Sequence, residues 1–226
     1  MLTTVCYVSP TFAGFTAYAE YDMGSDDAEE NTRESDRGAA LGLNYKNGAF
    51  GAGLVLTTVF EEDSLGKKVN AAGDGWTDAK AYGDDPEDQF TVNLGMSYDF
   101  GVAKVYVAGQ YFKDANTVGT FEELSVLSGR DELEGYGFVV GADIPLAGGL
   151  LTVGGAYTDG EDKAKDSKIE FDGWNVGAQY KYQLSKRTRV YATVGYTNLE
   201  AETGLATDET NEYKYWGGNV GIAHYF

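Results

Sequence analysis

Apolar and polar residues alternate along most of this chain, in runs of about six to eleven residues. In residues 15–22, for example, Phe15, Ala17, Ala19 and Tyr21 share one parity and the polar residues take the other. Such alternation puts successive side chains on opposite faces of a β-strand. Ten other runs follow the same rule. The pattern predicts eleven strands, over residues 3–8, 15–22, 39–46, 50–56, 90–100, 105–111, 136–144, 151–157, 174–182, 190–196 and 219–226.

The connections between these strands alternate in length. Five are tight and rich in turn residues, such as KNG at residues 46–48 and FG at residues 100–101. In an up-and-down antiparallel sheet this order puts every tight turn at one end and every long segment at the other. We therefore predict a single all-β domain over residues 1–226. The five long polar segments are residues 22–37, 61–88, 113–134, 159–172 and 200–214.

Strand length and the placement of aromatic residues distinguish a membrane barrel from a soluble β-sandwich. Sandwich strands average five or six residues, whereas several of these runs reach about ten, the length that a tilted strand needs to cross a bilayer. One face is apolar at its centre and aromatic at both ends, as the lipid-facing wall of a transmembrane antiparallel β-barrel requires. These aromatic residues are Tyr45, Phe50, Tyr98, Phe100, Tyr182 and Phe226 near the turns, and Tyr21, Tyr111, Tyr136, Tyr157, Trp174, Tyr196 and Trp216 near the long segments.

The opposite face of the predicted strands is polar. Outside the long segments, eight of the nine charged residues lie on it. A charge at mid-depth on the lipid side would cost roughly 2–4 kcal/mol, so this distribution favours a wet lumen on the polar face. The predicted pore-lining residues are Glu20, Lys46, Asp99, Lys104, Gln110, Asp143, Asn175, Gln179, Lys181, Arg187 and Arg189.

The acidic residues are concentrated in the long segments. The chain has 226 residues and a net charge of -19, and these segments hold 33 of its 36 acidic residues beside 11 basic ones. A solvated loop explains any one such segment. Gathered at one end of a barrel, they would attract cations to the channel mouth within a screening distance of about 8 Å. The same charge argues against nucleic acid as a partner.

Other chemistries find little support in the sequence. The single histidine, His224, lies at the turn end of the last strand, so a histidine-dependent site among the long segments is excluded, and no carboxylate pair stands out. We expect no enzymatic activity and no cofactor. The acidic runs GDGWTD, GDDPED and DGEDKAKD lack the spacing of a hand-type calcium loop, which leaves simple solvation or loose divalent bridging to lipopolysaccharide phosphates. No signal peptide is visible at the start.

Several stretches resemble a known family. YVSPTFAGFTAYAEY, LGMSYDFGVAKVYVAGQYFKD, YQLSKRTRVYATVGYTN and VGIAHYF closely resemble the second half of the general diffusion porins of Gram-negative outer membranes. The resemblance implies a bacterial outer-membrane location and a sixteen-stranded barrel that forms a homotrimer when complete. It matches residues 3–8 to the sixth strand, so the first five strands, the constriction loop and the signal peptide are expected to be absent here.

The resemblance also implies roles for individual residues. In this family a terminal Phe on an alternating last strand is read by the barrel assembly machinery, and Val220, Ile222 and Phe226 fit that assembly signal. Where the family's strand often carries a channel-facing Arg, this chain has Cys6. One positive charge near the constriction is therefore expected to be missing.

The predicted function is passive diffusion of small hydrophilic solutes and ions, with a weak preference for cations. The alternative is a structural or surface-display barrel without significant conductance, whose acidic segments serve as a contact surface. Outer-membrane lipid and lipopolysaccharide are the expected surroundings in both cases. Because bacterial single-chain barrels have even strand numbers and lipid tolerates no unpaired strand edge, we do not expect eleven strands alone to form a stable pore.

Overall fold

The computed structural model describes residues 4–23, 37–60, 67–69, 76–78, 88–116, 118, 119, 121, 124, 127, 132–164, 169–203 and 209–225. Among these residues no helix is long and apolar enough to span a membrane. The extended regular elements there are β-strands. The strands of the main sheet are β1 (Thr4–Val8), β2 (Phe15–Asp22), β3 (Arg37–Asn47), β4 (Phe50–Phe60), β7 (Gln89–Asp99), β8 (Lys104–Ala115), β9 (Leu133–Leu146), β10 (Gly149–Asp162), β11 (Ile169–Ser185), β12 (Thr188–Thr203) and β13 (Glu209–His224), and a separate pair comprises β5 (Lys67–Val69) and β6 (Trp76–Asp78).

The main sheet contains eleven strands in sequence order from β1 to β13, with β5 and β6 outside it. Each strand pairs antiparallel with its neighbours, which confirms the predicted up-and-down architecture. Within the described part of the chain, β1 and β13 are the two ends of this order. The hairpin of β5 and β6 lies inside the segment 61–88, where no strand was predicted.

Tight turns close one end of the sheet. The turn before β2 contains Gly14, whose φ of 87° lies in the left-handed region, and a Cβ on Gly14 would come within 2.6 Å of the Lys46 carbonyl oxygen. Both the dihedral angle and this close approach require glycine. The amide of Lys46 donates to the carbonyl of Gly14 at 2.9 Å, which ties this turn to the end of β3.

At the other end, the strands extend further than the sequence indicated. β10 continues to Asp162, β11 begins at Ile169 and β12 continues to Thr203. The prediction that residues 159–172 and 200–214 are solvated loops is therefore wrong for much of both segments. Acidity alone predicted a loop there, but polar residues also suit a strand that continues beyond the bilayer into water.

A compact hydrophobic core lies at this extended end of β8 to β12. Its residues are less than 9% exposed, while much of the remaining sheet is exposed on both faces. Three of them belong to the connection between β8 and β9 and not to a strand. The core comprises Phe112, Ala115, Phe121, Leu124, Leu127, Leu133, Ile169, Phe171, Leu199 and Ala201.

Candidate channel wall

The two faces of the sheet differ in chemistry along their whole width. We call the face that carries Lys104, Asp143 and Gln179 the inner face and the opposite one the outer face. Register places these three residues in one cross-strand row with Asp99, Thr152 and Thr193. Since facing residues in adjacent strands share a side of the sheet, the row runs as a polar line across six strands.

Hydrogen bonds connect the polar row. The Tyr106 hydroxyl donates to Asp143 Oδ2 at 2.8 Å, and the Thr152 hydroxyl donates to Asp143 Oδ1 at 2.6 Å. Gln179 Nε2 donates to Thr193 Oγ1 at 2.9 Å. Asp143 is therefore held in place by two donors on the strands that flank it.

Tyr106 was not among the residues predicted to line the pore. The parity of β8, which puts Tyr106 on the same face as Lys104 and Gln110, could have identified it. Lys104 Nζ lies 4.9 Å from the centroid of the Tyr106 ring, a cation–π distance. Gln110 donates through Nε2 to Asn93 Oδ1 at 3.0 Å, so Asn93 is a second missed member of this face.

A row of glycines crosses the inner face next to the polar row. It runs through five strands from β9 to β13 in unbroken register. The absence of side chains leaves a hollow of about 630 Å³, which Gly141, Gly154 and Gly177 help to line. The members of the row are Gly141, Gly154, Gly177, Gly195 and Gly217.

The remaining predicted pore-lining residues are distributed along the inner face and its turns. Glu20 pairs with Cys6 and Ala40 in the first three strands, and Lys46 pairs with Gly51. Arg189 lies with its guanidinium 5.9 Å from the Tyr225 ring centroid. Arg187 belongs to the turn that precedes β12, so the structure does not place it on a strand. Contact of this set with channel water stays a prediction.

The outer face has aromatic clusters at both ends. At the turn end, Phe15 and Tyr45 have ring centroids 4.4 Å apart. At the other end, the Trp174 and Tyr196 rings lie 5.2 Å apart. Between these ends, apolar side chains such as Leu94 at 48% are widely exposed. A continuous exposed apolar band of this size marks a surface that another apolar phase covers.

Two rows of carboxylates cross the outer face beyond the Trp174 end. Register puts like charges directly opposite one another on neighbouring strands, an arrangement that destabilises a sheet. The first row is Glu134, Glu161, Glu170 and Glu202, and the second is Asp159, Asp172, Glu200 and Glu212. The expectation that acidic residues gather around the channel mouth is wrong for these eight, because their parity is that of the outer face.

Local interactions reduce the repulsion between some of these carboxylates. Lys163 Nζ lies 2.6 Å from Glu161 Oε1, and this hydrogen bond raises the pKa of Lys163. Burial, followed by the charges of Asp159 and Glu202, raises the pKa of Asp172.

Over the described ranges, no three histidine, cysteine or acidic side chains converge closely enough to hold a metal ion. Half of the run GDGWTD and most of GDDPED lie outside the described residues.

The predicted assembly signal lies on the last strand. Val220 and Ile222 are 83% and 67% exposed on the outer face of β13. Phe226 lies outside the described residues. The role of these three residues in assembly stays a prediction.

Known proteins are similar to this chain in sequence. A family model described as Gram-negative porin matches residues 2–202. An outer membrane porin protein of Bordetella pertussis is 27% identical over an alignment 215 residues long, and the match covers 85% of this chain and 51% of the relative. The chain thus spans about half the length of this curated relative.

Solved structures support the same fold. An anion-selective porin from Comamonas acidovorans is 24% identical, with a TM-score of 0.63, and the match covers 99% of this chain and 59% of that one. In-vitro folded OmpT of Vibrio cholerae in its trimer form is 16% identical, with a TM-score of 0.60 and coverage of 99% and 64%. With the family match over most of its length, the chain belongs to the Gram-negative porin family of outer-membrane β-barrels.

Proposed function

We propose that the full-length protein forms a water-filled channel for passive diffusion of small hydrophilic solutes and ions across the outer membrane. The observation that carries this proposal is the division of one continuous sheet into an apolar outer face and a hydrogen-bonded polar inner face beside a row of glycines. A lipid-facing wall needs the first face and a water-filled lumen needs the second.

Planar-bilayer recording of the purified full-length protein tests the channel. Stepwise current openings are the expected result. A folded, membrane-inserted protein that gives no steps would overturn the proposal. That outcome would favour the structural or surface-display barrel, for which the outward carboxylate rows would be the contact surface.

We also propose that the channel weakly prefers cations over anions. This preference is supported by the net negative charge of the long segments, which hold 33 acidic and 11 basic residues. Two observations limit its size: eight of those acids lie on the outer face, and Lys104, Lys181 and Arg189 lie on the inner one. The porin from Comamonas acidovorans is anion-selective, and at 24% identity its likeness to this chain supports only the fold.

Reversal potentials across a potassium chloride gradient test the ion preference. We expect weak cation selectivity that fades as salt rises, because counterions screen the field. Lys181→Gln should increase it, since Lys181 lies on the inner face. Lys186→Gln in the turn before β12 is the matched control and should change little. Anion selectivity of the unmodified protein at low salt would refute this proposal.

We also propose the partners of the complete protein. A homotrimer is supported by the fold shared with the trimer form of OmpT. Contact with outer-membrane lipid is supported by the exposed apolar band. Contact with lipopolysaccharide requires divalent ions that bridge its phosphates to the carboxylate rows beyond that band, because both groups are anionic. Recognition by the barrel assembly machinery is supported by the exposed Val220 and Ile222. Gel filtration in detergent tests the trimer, since a monomeric elution volume would contradict it.

A further inference from the structure

The end of β8 is irregular just before the connection to β9. A β-bulge interrupts pairing between Phe112 and Ala115, and Asp114 in this bulge has a left-handed φ of 52°. Asp114 is 5% exposed, and Lys113 Nζ lies 2.8 Å from its Oδ2. Bulges at barrel rims bend a strand and redirect the chain that follows.

Backbone hydrogen bonds link four described residues of the connection between β8 and β9, at intervals of three. The amide of Phe121 donates to the carbonyl of Val118 at 2.9 Å, that of Leu124 to Phe121 at 2.9 Å, and that of Leu127 to Leu124 at 3.0 Å. This repeat of three brings the four side chains to one side, as in a 3₁₀-helix. We call these four residues, Val118, Phe121, Leu124 and Leu127, the inward turn.

The apolar side of the inward turn packs on the inner face of the sheet. Phe121, Leu124 and Leu127 are 3%, 4% and 5% exposed. The Phe121 ring meets the Phe171 ring edge to face, with centroids 5.1 Å apart. Phe171 in β11 has the parity of Gln179 and hence belongs to the inner face.

The inward turn reaches well across the sheet. Phe121 Cζ would lie 2.8 Å from a Cβ on Gly173, also in β11, which is three strands from β8. Three strand spacings amount to about 14 Å. Phe121, in the connection between β8 and β9, therefore lies over the inner face of β11. Glycines at inner-face positions make room for the aromatic rings, as at Gly160, where a Cβ would lie 2.5 Å from Phe171 Cζ.

We propose that the inward turn is a constriction that limits the size of solutes entering the channel from its extended end. A layer packed on a sheet stands about 10 Å from it, so this element occupies lumen that the wall alone would leave open. The proposal rests on the channel function proposed above. It concerns the connection between β8 and β9, whereas the constriction loop that the porin resemblance implies precedes residues 3–8.

Conductance and solute size test the constriction in the full-length protein. The double variant Phe121→Ser, Leu124→Ser should release the inward turn from the wall by removing its apolar contacts. Freeing a layer about 10 Å thick should raise unitary conductance by roughly 1.5-fold or more and admit larger sugars in liposome swelling. Val102→Ser, in an exposed turn at the other end, is the control and should leave both unchanged.

Thiol labelling tests the packing without any need for conduction. In a Cys6→Ser background, which removes the exposed native thiol, Leu124→Cys should react with a membrane-impermeant maleimide at least tenfold more slowly than Val102→Cys. Adding Phe171→Ser should accelerate labelling at position 124. Both comparisons use folded protein, so a variant that fails to fold is recognised by its loss of protease resistance.

The outcomes separate the two proposals. Openings of equal size in the unmodified protein and the double serine variant would overturn the constriction and leave the channel standing. Labelling at position 124 as fast as at position 102 would overturn it as well. An absence of openings in both proteins would overturn the channel and the constriction together. Larger openings in the variant, with slow labelling at position 124, are the expected result.

Discussion

Single glycines determine how closely the inner face can be packed. In β11, Gly173 and Gly177 share the inner face but differ in surroundings. A Cβ on Gly173 would lie 2.7 Å from Leu199 Cδ2 and 2.8 Å from Phe121 Cζ, whereas one on Gly177 would meet only the Val194 carbonyl at 3.5 Å. The first position lies under the hydrophobic core, and the second borders the hollow beside the glycine row.

Gly173→Ala should therefore destabilise the protein and Gly177→Ala should not. Overpacking at a crowded site costs typically about 1–3 kcal/mol, because neighbouring side chains must leave their preferred rotamers. Urea unfolding of the two variants in detergent would measure the difference. Equal midpoints would contradict the close packing of Phe121 on β11.

Asp172 is a residue whose charge opposes folding. Its pKa is raised by burial and by Asp159 and Glu202, so the folded state favours the protonated form. The penalty on stability is present above the raised pKa and disappears as pH falls through it. At pH 7, Asp172→Asn should stabilise the protein by about 0.2–1 kcal/mol, the size of a like-charge cross-strand pair.

The pH dependence supplies the control for this prediction. Below the ordinary aspartate pKa of 3.8, the variant and the unmodified protein should unfold at the same temperature, since both are neutral at position 172. Thermal unfolding at both pH values measures this. A stabilisation that persists unchanged in acid would show that charge is not the cause.

At the scale of a strand, the alternation of faces decides which substitutions the membrane tolerates. Leu94 and Asn93 are neighbours near the middle of β7 and lie on opposite faces. Leu94 is exposed in the apolar band, and Asn93 accepts a hydrogen bond from Gln110 on the inner face. Because they are adjacent in the strand, the two residues lie at nearly the same depth in the membrane and form a matched pair for substitution.

Leu94→Arg should reduce the stability of the inserted barrel, while Asn93→Arg should have a much smaller effect. A charge on the lipid side near the bilayer midplane costs roughly 2–4 kcal/mol, whereas the proposed lumen on the inner face is wet. Refolding into lipid vesicles, followed by urea titration, compares them. A larger loss for Asn93→Arg would reverse the assignment of the two faces.

At the scale of the whole molecule, the predicted assembly signal on the last strand can be tested. Val220 and Ile222 present an alternating apolar edge on β13, and Phe226 continues their parity in the sequence. Deletion of Phe226 should lower the amount of full-length protein in the outer membrane several-fold while its synthesis is unchanged. Cell fractionation with quantitative immunoblotting measures this, and Ala223→Ser on the opposite parity is the control. Equal outer-membrane amounts would refute the recognition role.

Much of the architecture could be predicted from the sequence because strand alternation is a local property. The parity of Leu94 and Asn93, or of Val220 and Asn219, identifies two faces without knowledge of any partner strand. Loop lengths then order the strands, because short turns join antiparallel neighbours. These two signals are enough for the eleven-stranded sheet and for the polar and apolar faces.

Other features depend on residues that meet only after the strands pair. The bonds that hold Asp143 come from Tyr106 and Thr152, which lie on other strands. Asp172 lies on the outer face because β11 already begins at Ile169. The acidity of this segment had predicted a loop there, in which residue 172 would belong to neither face. The ring of Phe121 packs on that of Phe171, and the two residues are too far apart in sequence for any local pattern to predict the contact. The sequence alone therefore determined which face of its strand each side chain occupies. The tertiary structure decided which side chains of different strands touch, because register and chain reversal set which of them come within reach of one another.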